Sequence, residues 1–162
     1  MDHWLSLLSH WLAGFRLHAA MQDDGWIVPT VQTVHIIAIG FVFPSSLLLS
    51  LRALGLAGTD WSPAQWGRRL NPWLAGALLV LLGSGTVLIV GEPARSLLSP
   101  VFQVKMVLVV IAAALAWLLG ARLRRIDPAG RTPAADKALA GLVVLLWMAV
   151  ISCGRWIAYY AG

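Results

Sequence analysis

Four apolar segments, each long enough to cross a lipid bilayer, limit what this chain can fold into. A hydrocarbon core of about 30 Å takes about 20 helical residues to cross, and within it every backbone polar group must be paired internally. The segments lie at about residues 28–54, 72–90, 102–123 and 138–160. They predict an all-α fold, a transmembrane four-helix bundle that forms a single membrane domain over residues 1–162.

The composition agrees with lipid as the solvent for much of the surface. The chain is 59% hydrophobic and 12% charged, whereas a soluble domain averages roughly 45–50% apolar and 25% charged residues. The net charge of +5 would suggest a nucleic-acid partner for a soluble protein, but here the basic residues cluster between the apolar segments. We therefore expect the lipid bilayer as a partner, and no nucleic acid.

Residues 3–20 have a different pattern. Four large apolar residues recur there at helical spacing, namely Trp4, Leu8, Trp11 and Phe15. An amphipathic segment of this kind, with Arg16 off the apolar stripe, is typical of a helix that lies in the plane of the membrane interface. We expect an N-terminal amphipathic interfacial helix; packing of the same stripe against the bundle is the alternative, and the two can coexist.

Lysine and arginine are distributed unequally between the two sides of the predicted bundle. Eight lie in or beside the first and third connections: Arg52, Arg68, Arg69, Arg122, Arg124, Arg125, Arg131 and Lys137. Four lie on the other side: Arg16, Arg95, Lys105 and Arg155. Because cytoplasmic loops carry the excess of lysine and arginine, the larger set should face the cytoplasm. This predicts a multi-pass protein of the bacterial inner membrane with both termini in the periplasm.

Three ionisable residues fall at one level in the outer half of the predicted bundle. His35 lies about 10 Å below the outer start of the first span, at 1.5 Å per residue, Lys105 is in the first turn of the third span, and Arg155 is near the outer end of the fourth. Gln32 shares a helical face with His35, and Tyr159 shares one with Arg155. These five are candidate cofactor-binding residues, and His35 is also a candidate metal ligand, because ionisable residues inside a membrane mark functional sites by default.

Each of the three ionisable residues also has a structural interpretation. Lys105 is near enough to the surface to extend its ammonium into water along its own helix. Arg155 would serve as an anchor in an interfacial belt with Tyr159 and Tyr160. His35 is too short to reach the surface, and as a structural residue it would be a neutral imidazole hydrogen-bonded across helices.

Three ligands suit such a site. A b-type haem takes an axial imidazole, here His35, and Arg155 and Lys105 would neutralise its propionates. A quinone would use His35 and Arg155 as hydrogen-bond donors or proton acceptors at its carbonyls. Copper also binds imidazole, although the methionines are scattered along the chain rather than arranged as a ligand set. The residues leave these three ligands open.

Five sequence elements carry a resemblance to known families: WIVPTVQTVHIIAIGFVF, LRALGL, NPW, FQVKMVLV and GRWIAYY. With TVH, LRxLGL and GRWIAY taken together, nearly the whole chain resembles a bacterial family of small four-helix integral membrane proteins that is classed as a domain of unknown function. More distantly, the histidine in the first span and the lysine that opens the third resemble two other four-helix families. One is the copper-resistance protein D, associated with copper uptake, and the other is the small haem-binding protoporphyrinogen oxidase. The latter implies roles for His35 and Lys105 in haem binding and activity.

The sequence thus favours haem b- or quinone-linked electron transfer at a ligand site in the outer half of the bundle. Transport of copper or another small solute is the second interpretation. The third is a structural role as anchor or partner of a periplasmic or membrane protein, with the N-terminal helix as the docking surface. Whether the protein is an enzyme is left open at this stage.

Overall fold

The computed structural model describes the backbone of residues 2–126 and 131–160, and the side chains of these residues except Asp2, Arg95 and residues 155–160. Within that part of the chain the only regular elements are helices, so the predicted all-α fold is confirmed. The helices are α1 (Asp2–Ala13), α2 (Arg16–Asp23), α3 (Ile27–Leu54), α4 (Pro63–Gly91), α5 (Pro93–Leu97), α6 (Pro100–Leu123) and α7 (Ala134–Tyr160).

Four of these helices, α3, α4, α6 and α7, are long and apolar enough to span a membrane. They pack as a bundle in which α3 lies against α4 and α7, and α6 lies against α4 and α7. Their outward side chains are large and apolar, as lipid contact requires: Leu79 is 71% exposed, Leu145 68% and Val107 60%. The chain is therefore a multi-pass integral membrane protein.

The bundle has two ends, which we name by a local feature. At the Trp61 end, α3 and α6 finish and α4 and α7 begin; at the α5 end, α3 and α6 begin and α4 and α7 finish. Buried side chains are not shared equally between the ends: in α3 they begin at Ala38, and in α6 at Ala112. Of the side chains described, the tightly packed part of α3 and α6 therefore lies toward the Trp61 end.

Helix α4 begins earlier than the sequence predicts. Pro72 is a favourable residue for a helix start, but it lies inside α4, which begins at Pro63. Ser62 and Gln65 form a capping box, in which each side chain bonds the other residue's backbone N–H. With a proline at the first helical position, this is a strong start signal for a helix, and the backbone continues past Pro72 with one hydrogen bond fewer.

The N-terminal region forms two helices, so the prediction of one helix over residues 3–20 is wrong. The chain adopts an extended conformation at Phe15, between α1 and α2. Helix α2 is attached to the end of α4 by the His18 ring and the Gln22 amide, which bond the backbone carbonyls of Val90 and Gly91. On α1, Trp4 and Trp11 keep 75% and 63% of their surface exposed.

Helices α4 and α6 approach each other closely at the Trp61 end. A Cβ on Gly67 would lie 3.0 Å from the carbonyl oxygen of Gly120 and 3.0 Å from the backbone nitrogen of Arg124. A Cβ on Gly120 would meet the amide oxygen of Asn71. Glycines at helix crossings in membranes allow such contacts, and these two fix where α4 and α6 cross.

Polar groups are also buried in the bundle. Ser50 Oγ, Asn71 Oδ1 and Trp147 Nε1 have no hydrogen-bond partner among the described residues. Asp136, in the first turn of α7, is buried and accepts a hydrogen bond from the half-exposed guanidinium of Arg122 at the end of α6. That ion pair joins α6 to α7 next to their connection.

Candidate functional site

Polar side chains from four different helices meet in the half of the bundle nearer the α5 end. His35 comes from α3, Ser84 from α4, Lys105 from α6 and Cys153 from α7. We call this group the His35–Lys105 site. None of the four is among the exposed residues. Each side chain therefore faces neighbouring helices at least in part.

His35 is fixed against α4 by a hydrogen bond and by a gap in the surface of that helix. Its Nδ1 lies 2.9 Å from the Oγ of Ser84. A Cβ on Gly85 would lie 3.3 Å from the Cε1 atom of His35, so the ring occupies the space that a larger residue would fill. The imidazole is half-buried between the two helices. This agrees with a cross-helix hydrogen bond, and it also fixes the direction of the ring.

The hydrogen bonds of Ser84 favour one tautomer of His35. The Ser84 hydroxyl has one hydrogen, and the nearest acceptor around it is the carbonyl oxygen of Val80, 2.7 Å away. When this hydrogen is donated to Val80, Oγ accepts from His35 and Nδ1 is the protonated nitrogen. In the neutral ring Nε2 is then left with a free lone pair. This is the arrangement of a ligating histidine, whose second nitrogen donates to a fixed oxygen.

Lys105 extends across the bundle toward α7. Its Nζ lies 3.8 Å from the point where a Cβ on Gly154 would be, and the side chain is half-buried. The ammonium therefore lies beside Gly154, the residue that follows Cys153 on α7. Lys105 therefore belongs to the site and does not simply follow its own helix to the membrane surface.

The remaining predicted site residues are placed differently. The Gln32 side chain is exposed, on the turn of α3 that precedes His35. Arg155 and Tyr159 lie in α7, but their side chains are outside the described residues. The structure thus brings together His35 and Lys105 of the five candidates.

Two residues of the site are not among the candidates that the sequence offers. Ser84 lies in the GSGT stretch, which is distinctive for its small residues rather than for its hydroxyl groups. Cys153 is distinctive only as a single cysteine that cannot form an internal disulfide. The signal that would have found both is position: Ser84 and Cys153 lie within about three turns of the ends of their helices, as His35 and Lys105 do at the starts of theirs.

The glycines of α4 differ in what lies next to them. A Cβ added at Gly76 or at Gly83 would have no atom within 4 Å. Gly85 faces His35, and Gly67 contacts α6. Of these four glycines, only the latter two are therefore required by close contacts.

A cleft of about 430 Å³ lies at the α5 end, between α1, α2 and the start of α5. His10 and His18 line it, together with Gln22 and Glu92. Because a carbonyl only accepts, the His18 Nδ1–H donates to Val90 at 3.0 Å. These two histidines therefore line a cleft on the bundle surface that does not include the residues of the His35–Lys105 site.

The ligands suggested by the sequence can be compared with this geometry. Among the described residues, no group of three or more histidine, cysteine or acidic side chains could hold a metal ion. A copper site made only of such protein ligands therefore does not fit the described chain. One axial nitrogen for a haem iron needs no such group, and His35 Nε2 with its supporting Ser84 fits that requirement.

No protein-family model, curated protein or solved structure matches this chain. The geometry of His35, Ser84 and Lys105 is therefore the basis on which a function can be proposed.

Proposed function

We propose that this protein is a membrane-embedded electron-transfer protein that binds haem b through His35 Nε2. The observation that carries the proposal is the hydrogen bond between His35 Nδ1 and Ser84 Oγ, 2.9 Å long. With Nδ1 as its donor, Nε2 is unprotonated and its lone pair is held in one direction. A histidine whose second nitrogen donates to a fixed acceptor is a stronger and better oriented metal ligand than a free one.

Lys105 would serve the anionic part of the same cofactor. A haem supplies one-electron chemistry when bound, and its two propionates need cationic or hydrated surroundings. Lys105 comes from α6 and its half-buried ammonium lies beside Gly154 of α7, so it would pair with a propionate. In α3 before Ala38 and in α6 before Ala112 the described side chains are exposed or half-buried, so these two helix starts can present side chains to a bound ligand.

Absorption spectroscopy tests the proposal directly. The protein, produced with added haem precursor and purified in detergent, should show a Soret band and an α-band after dithionite reduction. His35→Ala should abolish both bands, and Ser84→Ala should lower haem affinity by about 10- to 100-fold, the usual effect of removing the group that orients a ligating histidine. His10→Ala is the matched control and should leave the spectrum unchanged.

A quinone is the second candidate ligand, favoured by the same tautomer. His35 Nε2 would accept the proton of a quinol hydroxyl, and the Lys105 ammonium would donate to a quinone oxygen. If the purified protein has no Soret band but organic extraction yields a quinone that His35→Ala loses, the electron-transfer function stands with this ligand. If neither is bound, the electron-transfer proposal is refuted.

We also propose that the protein resides in a bacterial inner membrane with the α5 end and both termini in the periplasm. Eight lysines and arginines at the Trp61 end against four at the other support this orientation. Reporter fusions ending at Ala64 and Ala134 should be cytoplasmic, and a fusion after Gly162 should be periplasmic. The reverse result at all three would invert the bundle and put the His35–Lys105 site near the cytoplasm.

A further inference from the structure

A second cleft lies at the Trp61 end, away from the His35–Lys105 site. It has a volume of about 350 Å³ and is lined by Gly58, Asp60, Trp61, Trp66, Arg69 and Leu70. These residues belong to the loop between α3 and α4 and to the first turns of α4. Since α3 and α4 both span the membrane, the cleft lies where two spans reach the membrane surface.

Hydrogen bonds and ring contacts hold the walls of this cleft. Gly58 has a positive φ of 66°, and its carbonyl accepts the indole N–H of Trp66 at 3.0 Å. The Nε of Arg52 donates to the carbonyl of Trp61 at 2.8 Å. The guanidinium carbon of Arg69 lies 4.9 Å from the centre of a Trp61 ring. The loop is thus fixed from both helices, and a ligand would meet a preformed surface.

The cleft offers one negative and one positive group that do not pair with each other. Asp60 and Arg69 both line it, yet neither forms an ion pair with any residue in the described part of the chain. The Arg69 guanidinium carbon lies over the Trp61 ring, and a contact with a ring face leaves guanidinium N–H groups available as donors. A ligand with both a negative and a positive group would complement this pair.

Apolar surface continues from the cleft. Leu56, in the same loop, is 72% exposed, and Trp61 is 42% exposed. Tryptophan and arginine side by side at the end of a span are typical of the level of lipid headgroups. The surface therefore suits a ligand whose charged part enters the cleft and whose apolar part continues into the bilayer.

We propose that this cleft binds a phospholipid whose headgroup carries a phosphodiester and a primary ammonium, as in phosphatidylethanolamine. The phosphodiester oxygens accept from the Arg69 guanidinium, and the ammonium donates to the Asp60 carboxylate. Asp60 disfavours a purely anionic headgroup by repulsion, and a choline headgroup has no N–H to donate to Asp60. This site is independent of the electron-transfer proposal.

Native mass spectrometry of the detergent-purified protein tests the lipid class. Phosphatidylethanolamine, phosphatidylglycerol and phosphatidylcholine with the same acyl chains are added in turn, and the bound fraction is measured. The ethanolamine lipid should bind best. Arg69→Gln should weaken its binding by about three- to five-fold, the effect expected when one exposed ion pair is lost. Arg68→Gln, which makes the same charge change outside the cleft lining, should leave binding unchanged.

Asp60→Asn gives the decisive comparison, because Asp60 makes no hydrogen bond in the described part of the chain and its replacement leaves the Trp61 contacts intact. This variant should bind the ethanolamine lipid less and the glycerol lipid more. The proposal is wrong if Asp60→Asn changes both lipids in the same direction, or if Arg68→Gln loses as much binding as Arg69→Gln. Glycerophosphoethanolamine, the headgroup without acyl chains, should not compete; full competition would make this a site for a soluble phosphodiester and overturn the lipid assignment.

Discussion

Replacing Gly67 by alanine tests the closest helix contact in the bundle. The added Cβ would lie 2.9 Å from the Arg124 Cγ and 3.0 Å from the Gly120 carbonyl oxygen. Ordinary contacts of a Cβ begin near 3.4 Å, so α4 and α6 must separate by a few tenths of an ångström. Backbone cannot move aside as a side-chain end can, and overpacking of this kind costs about 1–3 kcal/mol. Alanine also gains about 1 kcal/mol of helix propensity over glycine, which offsets part of that cost.

Replacing a second glycine on the same helix provides a control, because the gain in helix propensity is the same for both variants. Gly76→Ala gains the same propensity, but its Cβ would have no atom within 4 Å. We therefore expect Gly67→Ala to be less stable than Gly76→Ala by about 1–3 kcal/mol. The free energy of unfolding is measured by SDS titration in mixed micelles, with intrinsic tryptophan fluorescence as the signal. Equal stability of the two variants would show that α4 and α6 do not approach as closely as described, and the argument from Gly67 would fail.

Further predictions concern the α3–α4 loop and the α6–α7 ion pair. Gly55 and Gly58 both have positive φ, so alanine at either costs about 1 kcal/mol. At Gly58 the Cβ would also lie 2.7 Å from the Trp66 ring, so the midpoint of SDS unfolding should fall further for Gly58→Ala than for Gly55→Ala; a smaller fall at Gly58 would contradict this. Arg122→Gln leaves the buried Asp136 carboxylate unpaired and should cost about 1–2 kcal/mol, less than a fully buried pair because Arg122 is half exposed. Adding Asp136→Asn should recover stability, and if it does not, the ion pair is not the cause.

The fold could be predicted from the sequence because the membrane leaves few alternatives. Long apolar segments must be helical in lipid, and four of them are visible as long hydrophobic runs with few ionisable residues. Helix boundaries are less predictable: Pro72 suggests a helix start because proline is favoured there. The capping residues Ser62 and Gln65, which set the true start, lie among polar residues that are typical of a connection. The break at Phe15 is not visible because periodicity describes which face is apolar and not whether the helix is continuous.

The site was predictable only in part, for a similar reason. His35 and Lys105 stand out because ionisable groups are rare in apolar segments. Ser84 and Cys153 do not stand out, because serine and cysteine are common in membrane helices and their role depends on which helices are neighbours. Which helices are neighbours, such as α3 with α4 and α6 with α7, is known only from the tertiary structure. Gly85 shows this clearly, since a Cβ there would lie 3.3 Å from the His35 ring, a contact that only the packing of α3 against α4 creates.

The positions of the buried side chains suggest that different parts of α3 and α6 determine the stability of the bundle and its ligand binding. Helices in lipid gain no hydrophobic driving force from associating, so close packing supplies much of their stability. That packing in α3 and α6 is concentrated toward the Trp61 end, where Gly67 and Gly120 lie, whereas His35 and Lys105 lie before the first buried residue of their helices.

Ser84→Ala removes one interhelical hydrogen bond, worth on average about 0.6 kcal/mol in a membrane, and should therefore lower ligand affinity far more than stability. Gly67→Ala should do the opposite. Measuring unfolding and ligand binding on both variants gives four values, and parallel losses in both quantities would mean that the two ends of the bundle act as one unit.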